Sequence, residues 1–159
     1  MIREASLADI GALSALHGES FAESWSAESI GAMLATPGTF GLIAATDDEP
    51  RGFVLARAAG GEAEILTLAV GQAWRRKGQG RALVQAAAMR GHELHASVLF
   101  LEVGARNGPA LRLYTALGFE QAGLRKAYYA RGKGLAAEDA LILKAGLPLG
   151  RLGNRAGLD

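Results

Sequence analysis

Glu64-Ile65-Leu66-Thr67-Leu68-Ala69-Val70, followed by Gly71-Gln72-Ala73-Trp74 and then Arg75-Arg76-Lys77-Gly78-Gln79-Gly80-Arg81, is the stretch on which the reading of this chain turns. Residues 64–70 are mostly apolar and read as a strand. From residue 80 to 94 the apolar positions recur at helical spacing, so the basic, glycine-bearing segment is a strand-to-helix junction. Two glycines let the backbone turn so that successive N–H groups point into one cavity. The helix start adds partial positive charge and unpaired donors. Arg75, Arg76, Lys77 and Arg81 surround it with cations, as a ligand with several phosphate charges would require.

Three phosphate-binding patterns compete for this segment. A dinucleotide fingerprint needs a third glycine where Leu83 stands. A P-loop needs Gly-Lys followed by Ser or Thr, whereas the glycines here run into Arg81-Ala82. The third pattern, R/Q-x-x-G-x-G/A, is matched by Arg75, Gly78 and Gly80. A solvated basic turn is the plainer reading of the six residues alone; their place at a strand-to-helix junction favours anion binding.

Working outward, Ser6-Leu7-Ala8-Asp9 reads as a capping box opening a helix that carries Ile10, Leu13, Leu16 and Phe21. Ser26 caps a second helix with Ile30, Met33 and Leu34 on its buried side, stopped by Pro37-Gly38. Residues 40–46 and 53–58 form a hairpin around the turn residues 47–52, and residues 64–70 the third strand. After the helix at 80–94 comes an apolar strand, 98–103, which implies a right-handed crossover between parallel neighbours. Asn107-Gly108-Pro109 starts another helix, which ends at Gly118. Two strands follow, residues 119–129 and 139–144, joined by a glycine- and lysine-containing loop. The order implies an α/β (α+β) arrangement, a mixed sheet with helices on its faces. Residues 1–144 read as one domain and 145–159 as a loosely held tail.

At 159 residues the chain suits a single core, and a net charge of +1 argues against a nucleic-acid binder. With no cysteine, thiolate nucleophiles, thiolate metal sites and disulfides are excluded. The N-terminal residues have no signal-peptide character and no run is long enough to span a bilayer, so a cytoplasmic location without membrane partner is expected. His17, His92 and His95 fall on helices without metal spacing; they read as surface or helix-end residues, and no metal is expected.

The element Arg75-x-x-Gly78-x-Gly80, on this order of strands and helices, resembles the pyrophosphate loop of the GNAT superfamily of N-acetyltransferases. A second motif is independent of it. Leu101-Glu102-Val103, Asn107 and Leu113-Tyr114-x-x-x-Gly118-Phe119 resemble the superfamily's L-E-V…N…L-Y-x-x-x-G-F signature. Within the superfamily the chain is similar to the RimI type, which acetylates the N-terminal alanine of a small-subunit ribosomal protein. Glu64-Ile65-Leu66 before Leu68-Ala69-Val70, Trp25-Ser26, Tyr128-Tyr129 and Glu138-Asp139-Ala140 carry that likeness. The glycine- and alanine-rich residues 130–137 depart from the polar loop of that type, which bears on peptide specificity.

The resemblance implies a mostly antiparallel sheet with a splayed parallel strand pair, and acetyl-coenzyme A as co-substrate. Arg75, Arg76, Lys77, Gly78, Gln79, Gly80 and Arg81 would hold the pyrophosphate. The backbone of Leu68, Ala69 and Val70 would pair with the pantetheine arm and polarise the thioester carbonyl. Asn107 would touch the same arm, although it also suits a helix cap.

Glu102 is the one charge in residues 98–103 and, by the resemblance, the general base for the amine; paired with Arg106 or another cation it would be structural. Tyr114 shares a stripe with Ala110, Leu111 and Leu117, as a core tyrosine would, yet the resemblance makes it the acid for the departing thiolate. Glu64 is a second relay candidate, and Trp25, Tyr128 and Tyr129 would line a peptide groove.

The expected chemistry is direct transfer to an α-amine, since neither a cysteine nor a Ser-His pair suggests an acyl-enzyme. The acceptor expected is a protein N-terminus, with alanine on a ribosomal protein foremost. A small-molecule amine acetyltransferase is one rival, which would favour an acidic acceptor pocket. A coenzyme A-binding module without catalysis is another, opposed by retention of Glu102 and Tyr114.

Overall fold

The computed structural model of the chain describes residues 1–21, 23–129 and 138–150, with backbone alone at 127–129. Expectations about the loop at 130–137, the end of the tail and the side chains of Tyr128 and Tyr129 lie outside the described residues. One seven-stranded sheet runs in the order β1-β2-β3-β4-β5-β7-β6. Its strands are β1 (Ile2–Glu4), β2 (Thr39–Thr46), β3 (Glu49–Ala59), β4 (Glu62–Val70), β5 (Val98–Gly104), β6 (Glu120–Tyr129) and β7 (Glu138–Gly146). The helices are α1 (Ile10–Ser20), α2 (Ala27–Ala35), α3 (Gln79–Glu93) and α4 (Gly108–Ala116). Every adjacent pair is antiparallel except β4 and β5. The fold is therefore mixed α/β, as the resemblance implies.

Local chemistry explains the elements. The Ser6 N–H donates to Asp9 Oδ2 at 2.8 Å, so the capping box forms, and a single 3₁₀ turn leads into α1. Ser26 Oγ accepts from the Ser29 N–H and caps α2. The β2–β3 turn contracts to Asp47 and Asp48, whose φ of 51° and 63° suit a two-residue hairpin. Two differences from the sequence reading stand out. Strand β1 is three residues long, too short for periodicity to register, and it exists because it pairs with β2. Strand β7 runs two residues past Lys144, because Ala145 and Gly146 pair with Leu99 and Val98.

Alternation along the strands makes two cores. Val54 and Ala56 of β3, with Leu99, Leu101 and Val103 of β5, pack against Leu83, Val84, Ala87 and Ala88 of α3 and Tyr114 of α4. On the opposite face Ile43, Phe53, Leu55 and Ala69 pack against Leu13, Leu16 and Ile30 of α1 and α2. Among the described residues no helix is long and apolar enough to cross a membrane.

Arg3 forks onto Asp9 through two hydrogen bonds of 3.0 and 2.8 Å, which hold the Asp9 carboxyl down at about 2. A depressed carboxyl adds stability above its unfolded value near 4 and loses it as pH falls towards 2. Asp9→Asn keeps an acceptor for Ser6 but loses the charge. Because the Arg3 side chain is a third exposed, the expected cost at pH 7 is about 1 kcal/mol or less. The melting-temperature gap between the wild type and this variant should close between about pH 4 and pH 2; a gap that persists unchanged would remove the ion pair as its source.

Candidate active site

Strands β4 and β5 are parallel, but their register covers only Glu62↔Val98, Ala63↔Leu99 and Glu64↔Phe100. Beyond that, β4 is held on its β3 side through Gly52↔Val70, and β5 on its β7 side through Gly104↔Ala140. The strands therefore part towards their C-terminal ends. At the parting Leu55 pairs with Thr67 and Ala56 with Ile65, which leaves Leu66 as a bulge. The bulge inverts the alternation: Ala63 and Ile65 face the α3 core, whereas Ala69 faces the α1 core. Backbone groups of Leu68, Ala69 and Val70 that do not bond β3 open into the gap.

Strand β4 leads through Gly71 and a 3₁₀ turn, Gln72–Trp74, to α3. Arg76 and Gly78 both take left-handed backbone, with φ of 63° and 79°. The first bond of α3 runs from Ala82 N–H to the Gly78 carbonyl at 3.0 Å. Among the described residues the N–H groups of Gln79, Gly80 and Arg81 have no acceptor, as a helix start requires. A Cβ at Gly78 would meet open space; one at Gly80 would touch Leu113 Cδ2 at 3.6 Å and Val70 Cγ2 at 4.0 Å. The start of α3 is thus lodged between the end of β4 and α4.

The cations divide in two. Arg76, Lys77 and Arg81 are exposed around the helix start. Arg75 instead braces the loop, donating to the Val70 carbonyl at 3.1 Å, the Glu19 carbonyl at 3.2 Å and Ser20 Oγ at 3.1 Å. Trp74 is stacked under Arg51, whose Cζ lies 3.4 Å from the ring centroid, with Lys77 Nζ at 5.1 Å. Free helix-start donors, a left-handed glycine without a side chain in the way and three exposed cations fit a pyrophosphate.

Glu102 points to the other face of the sheet, between the inward-facing Leu101 and Val103. It lines an open cleft of about 440 Å³ together with Glu62, Glu64, Phe100, Arg57 and Arg125. The cleft begins where the α1–α2 layer ends: Leu66 packs against that layer, and Glu64, two residues earlier on β4, is already in the cleft. The cation on Glu102 is Arg125, at 3.1 Å, and not Arg106. Sequence spacing favours Arg106 only because it is near in the chain; β6 brings Arg125 across β7 from a distance. The Arg106 N–H binds the buried carboxylate of Glu138 at 2.7 Å.

Tyr114 lies on the α3–α4 side, so it and Glu102 approach the sheet from opposite faces. Its ring is 7% exposed and edge-on to Phe119, with centroids 5.5 Å apart. Burial pushes its phenol up to about 12, so it stays protonated at any working pH. Asn107 Oδ1 caps α4 by accepting from the Ala110 N–H at 3.2 Å, which leaves its NH₂ group to donate elsewhere.

The histidine reading needs one correction. His92 and His95 are exposed, but His17 is 2% exposed and sits in the α1 core between aromatic rings. Its spacing of four from both Leu13 and Phe21 is the signal that could have found it. Arg57, Glu62 and Arg125 were also missed, because only strand pairing brings them to one cleft.

Residues 10–119 match the Acetyltransferase (GNAT) family, and the chain belongs to that family. It is 32% identical over 119 residues to an N-alpha-acetyltransferase of Sulfurisphaera tokodaii, covering 67% of this chain and 68% of that one. It is 38% identical over 82 residues to the [ribosomal protein bS18]-alanine N-acetyltransferase of Escherichia coli, 52% of this chain and 54% of the relative. The crystal structure of the ribosomal-protein-S18-alanine N-acetyltransferase from Escherichia coli superposes with a TM-score of 0.85 at 25% identity, covering 92% and 93% of the two chains. The chain is a GNAT-type N-acetyltransferase, and acetyl-coenzyme A is the co-substrate this implies.

Proposed function

We propose that this enzyme acetylates the α-amino group of a protein N-terminus, with the N-terminal alanine of a ribosomal protein as the leading acceptor, in the cytoplasm. Residues 1–144, completed by the last two residues of β7, are the catalytic unit in this reading. One observation supports it: the β4–β5 pairing ends between a helix start with unpaired N–H donors and a cleft lined by Glu62, Glu64 and Glu102. The likeness to enzymes named for α-amine and bS18-alanine acetylation supports the acceptor class.

The residues take the following roles. Gly78, Gln79, Gly80 and Arg81, with Arg76 and Lys77, bind the pyrophosphate, while Arg75 braces the loop through its side chain. Leu68, Ala69 and Val70 offer backbone donors to the pantetheine arm and the thioester carbonyl, and Asn107 its free amide. Glu102, with Glu64 as its neighbour in the cleft, accepts the proton of the amine. A protonated Tyr114 gives a proton to the departing sulfur from the opposite face. Acetyl-coenzyme A supplies the activated acyl group and its thiolate leaving group.

A small cationic amine is a second reading, favoured by the three glutamates Glu62, Glu64 and Glu102 in the cleft. Arg57 and Arg125 line the same cleft, so it is only weakly acidic. Acetyl-coenzyme A with a panel of N-terminal peptides and simple amines separates the readings. The expected result is thiol release with an Ala-initiated peptide at a kcat/KM at least about tenfold above that for any polyamine. A polyamine preference would reverse the assignment, and no thiol release with any acceptor would favour a binding module.

A further inference from the structure

Among the features that carry the RimI likeness, Glu138-Asp139-Ala140 takes none of the roles given above. It opens β7 and lies against the turn that joins β5 to α4. Gly104 pairs with Ala140, and the Ala105 N–H donates to the Asp139 carbonyl at 2.8 Å. The Arg106 N–H donates to Glu138 Oε1 at 2.7 Å. The antiparallel ladder thus continues past the end of β5, and a side chain supplies its last rung. Without that rung the Arg106 N–H would face no carbonyl, since it precedes α4 and no earlier helical turn lies in front of it.

Glu138 is 1% exposed, and a carboxylate is costly to bury. It is fitted closely on the β5 side as well. A Cβ at Gly104 would stand 2.7 Å from Glu138 Oε1 and 2.9 Å from its Cδ, so the strand end rests on the carboxylate only because residue 104 has no side chain.

The residue that this turn delivers is Asn107. Its N–H donates to the Gly104 carbonyl at 3.0 Å and closes the turn, its carbonyl accepts from the Leu111 N–H at 3.0 Å, and its Oδ1 caps α4. The backbone groups and the side-chain oxygen are all committed to the turn and helix, and the exposed side chain keeps its NH₂ group for a ligand. The turn leaves β5 beyond the point where β4 and β5 have parted, and α4 borders the start of α3 through Leu113. Asn107 therefore stands at the α4 edge of the gap.

We propose that Glu138 is a positioning residue for the pantetheine arm of coenzyme A: it sets the turn at 104–107 and thereby the direction in which Asn107 presents its amide. The proposal rests on the contact between Asn107 and the arm assigned above. The start of α3 holds the diphosphate on a different element, so the two halves of the cofactor report separately on the two sites.

Calorimetry with two probes tests this, coenzyme A and ADP, which carries the diphosphate without the arm. In Glu138→Ala the Kd for coenzyme A should rise about tenfold, as for one lost hydrogen bond, while the Kd for ADP stays within about twofold. Asn107→Asp keeps the cap oxygen and removes the NH₂ group, and it should give the same selective loss. The double variant should bind coenzyme A no more weakly than the weaker single one, because both changes remove one contact. Losses that multiply in the double variant would overturn the proposal. So would an unchanged Kd for coenzyme A in Glu138→Ala, or an equal weakening of both probes, which marks a general support of the site. If circular dichroism shows Glu138→Ala unfolded, Gly104→Ala displaces the same carboxylate without removing it and is read by the same outcomes. A wild type that binds neither probe would instead sink the cofactor assignment beneath the proposal, and Gly78→Val, which should weaken both probes, tests that assignment independently of Glu138.

Discussion

Tyr114→Phe lowers kcat by about 10²-fold or more, the usual contribution of a positioned general acid, while the Kd for acetyl-coenzyme A changes little. The ring is packed against Phe119 in the α3–α4 core, and phenylalanine preserves that packing. Among the described residues the hydroxyl makes no hydrogen bond, so its removal leaves no partner unsatisfied and the fold should be unaffected. A loss of 10² in rate is about 2.7 kcal/mol of transition-state stabilisation, too much to come from packing when the ring remains. With its phenol pushed up to about 12 the residue carries its proton at any working pH, which is the protonation state a general acid starts from. Steady-state turnover at saturating acetyl-coenzyme A, with the Kd measured by calorimetry, checks this. Turnover equal to the wild type would remove Tyr114 as the acid.

Gly78→Val should weaken acetyl-coenzyme A binding by about 10- to 100-fold, the equivalent of about 1–3 kcal/mol of backbone strain. The φ of 79° is ordinary for glycine and strongly disfavoured for a β-branched residue. A side chain there would meet no protein atom, so the global fold should survive. The loop must then either keep its shape at a cost or relax, and relaxation scatters the N–H groups that form the cradle. Gly78→Ala should lie between the two, since it is strained but short. A dissociation constant identical to the wild type would remove this loop from pyrophosphate binding.

The geometry of the junction proposed to hold the cofactor was legible because it is local. A glycine with positive φ, a helix start and three cations lie within seven residues, so their spacing already implies their geometry. Helix caps were legible for the same reason: Ser6 with Asp9, Ser26 with Ser29 and Asn107 with Ala110 are contacts across one turn. Arg75 shows the limit. Its identity fits the motif, yet its side chain bonds α1, more than fifty residues earlier in the chain.

The cleft around Glu102 was much less legible. Glu102 was conspicuous as a charge in an apolar strand, but its cation comes from β6, and Arg57, Glu62 and Glu64 join it only through strand register. His17 was misread because a histidine on a helix is usually exposed, and only packing against Phe53 and Trp25 buries it.

By itself the sequence determined the element order from α1 onwards, the glycine-bearing strand-to-helix junction at residues 75–80 and the superfamily, since each rests on short-range periodicity, turn chemistry or motif spacing. The tertiary structure decided where β4 and β5 part, which face of the sheet each acid or base candidate occupies, and which charges share the cleft. Those are consequences of register: the Leu66 bulge and the end of pairing at Glu64↔Phe100 are set by strands distant in sequence, and no local pattern encodes them.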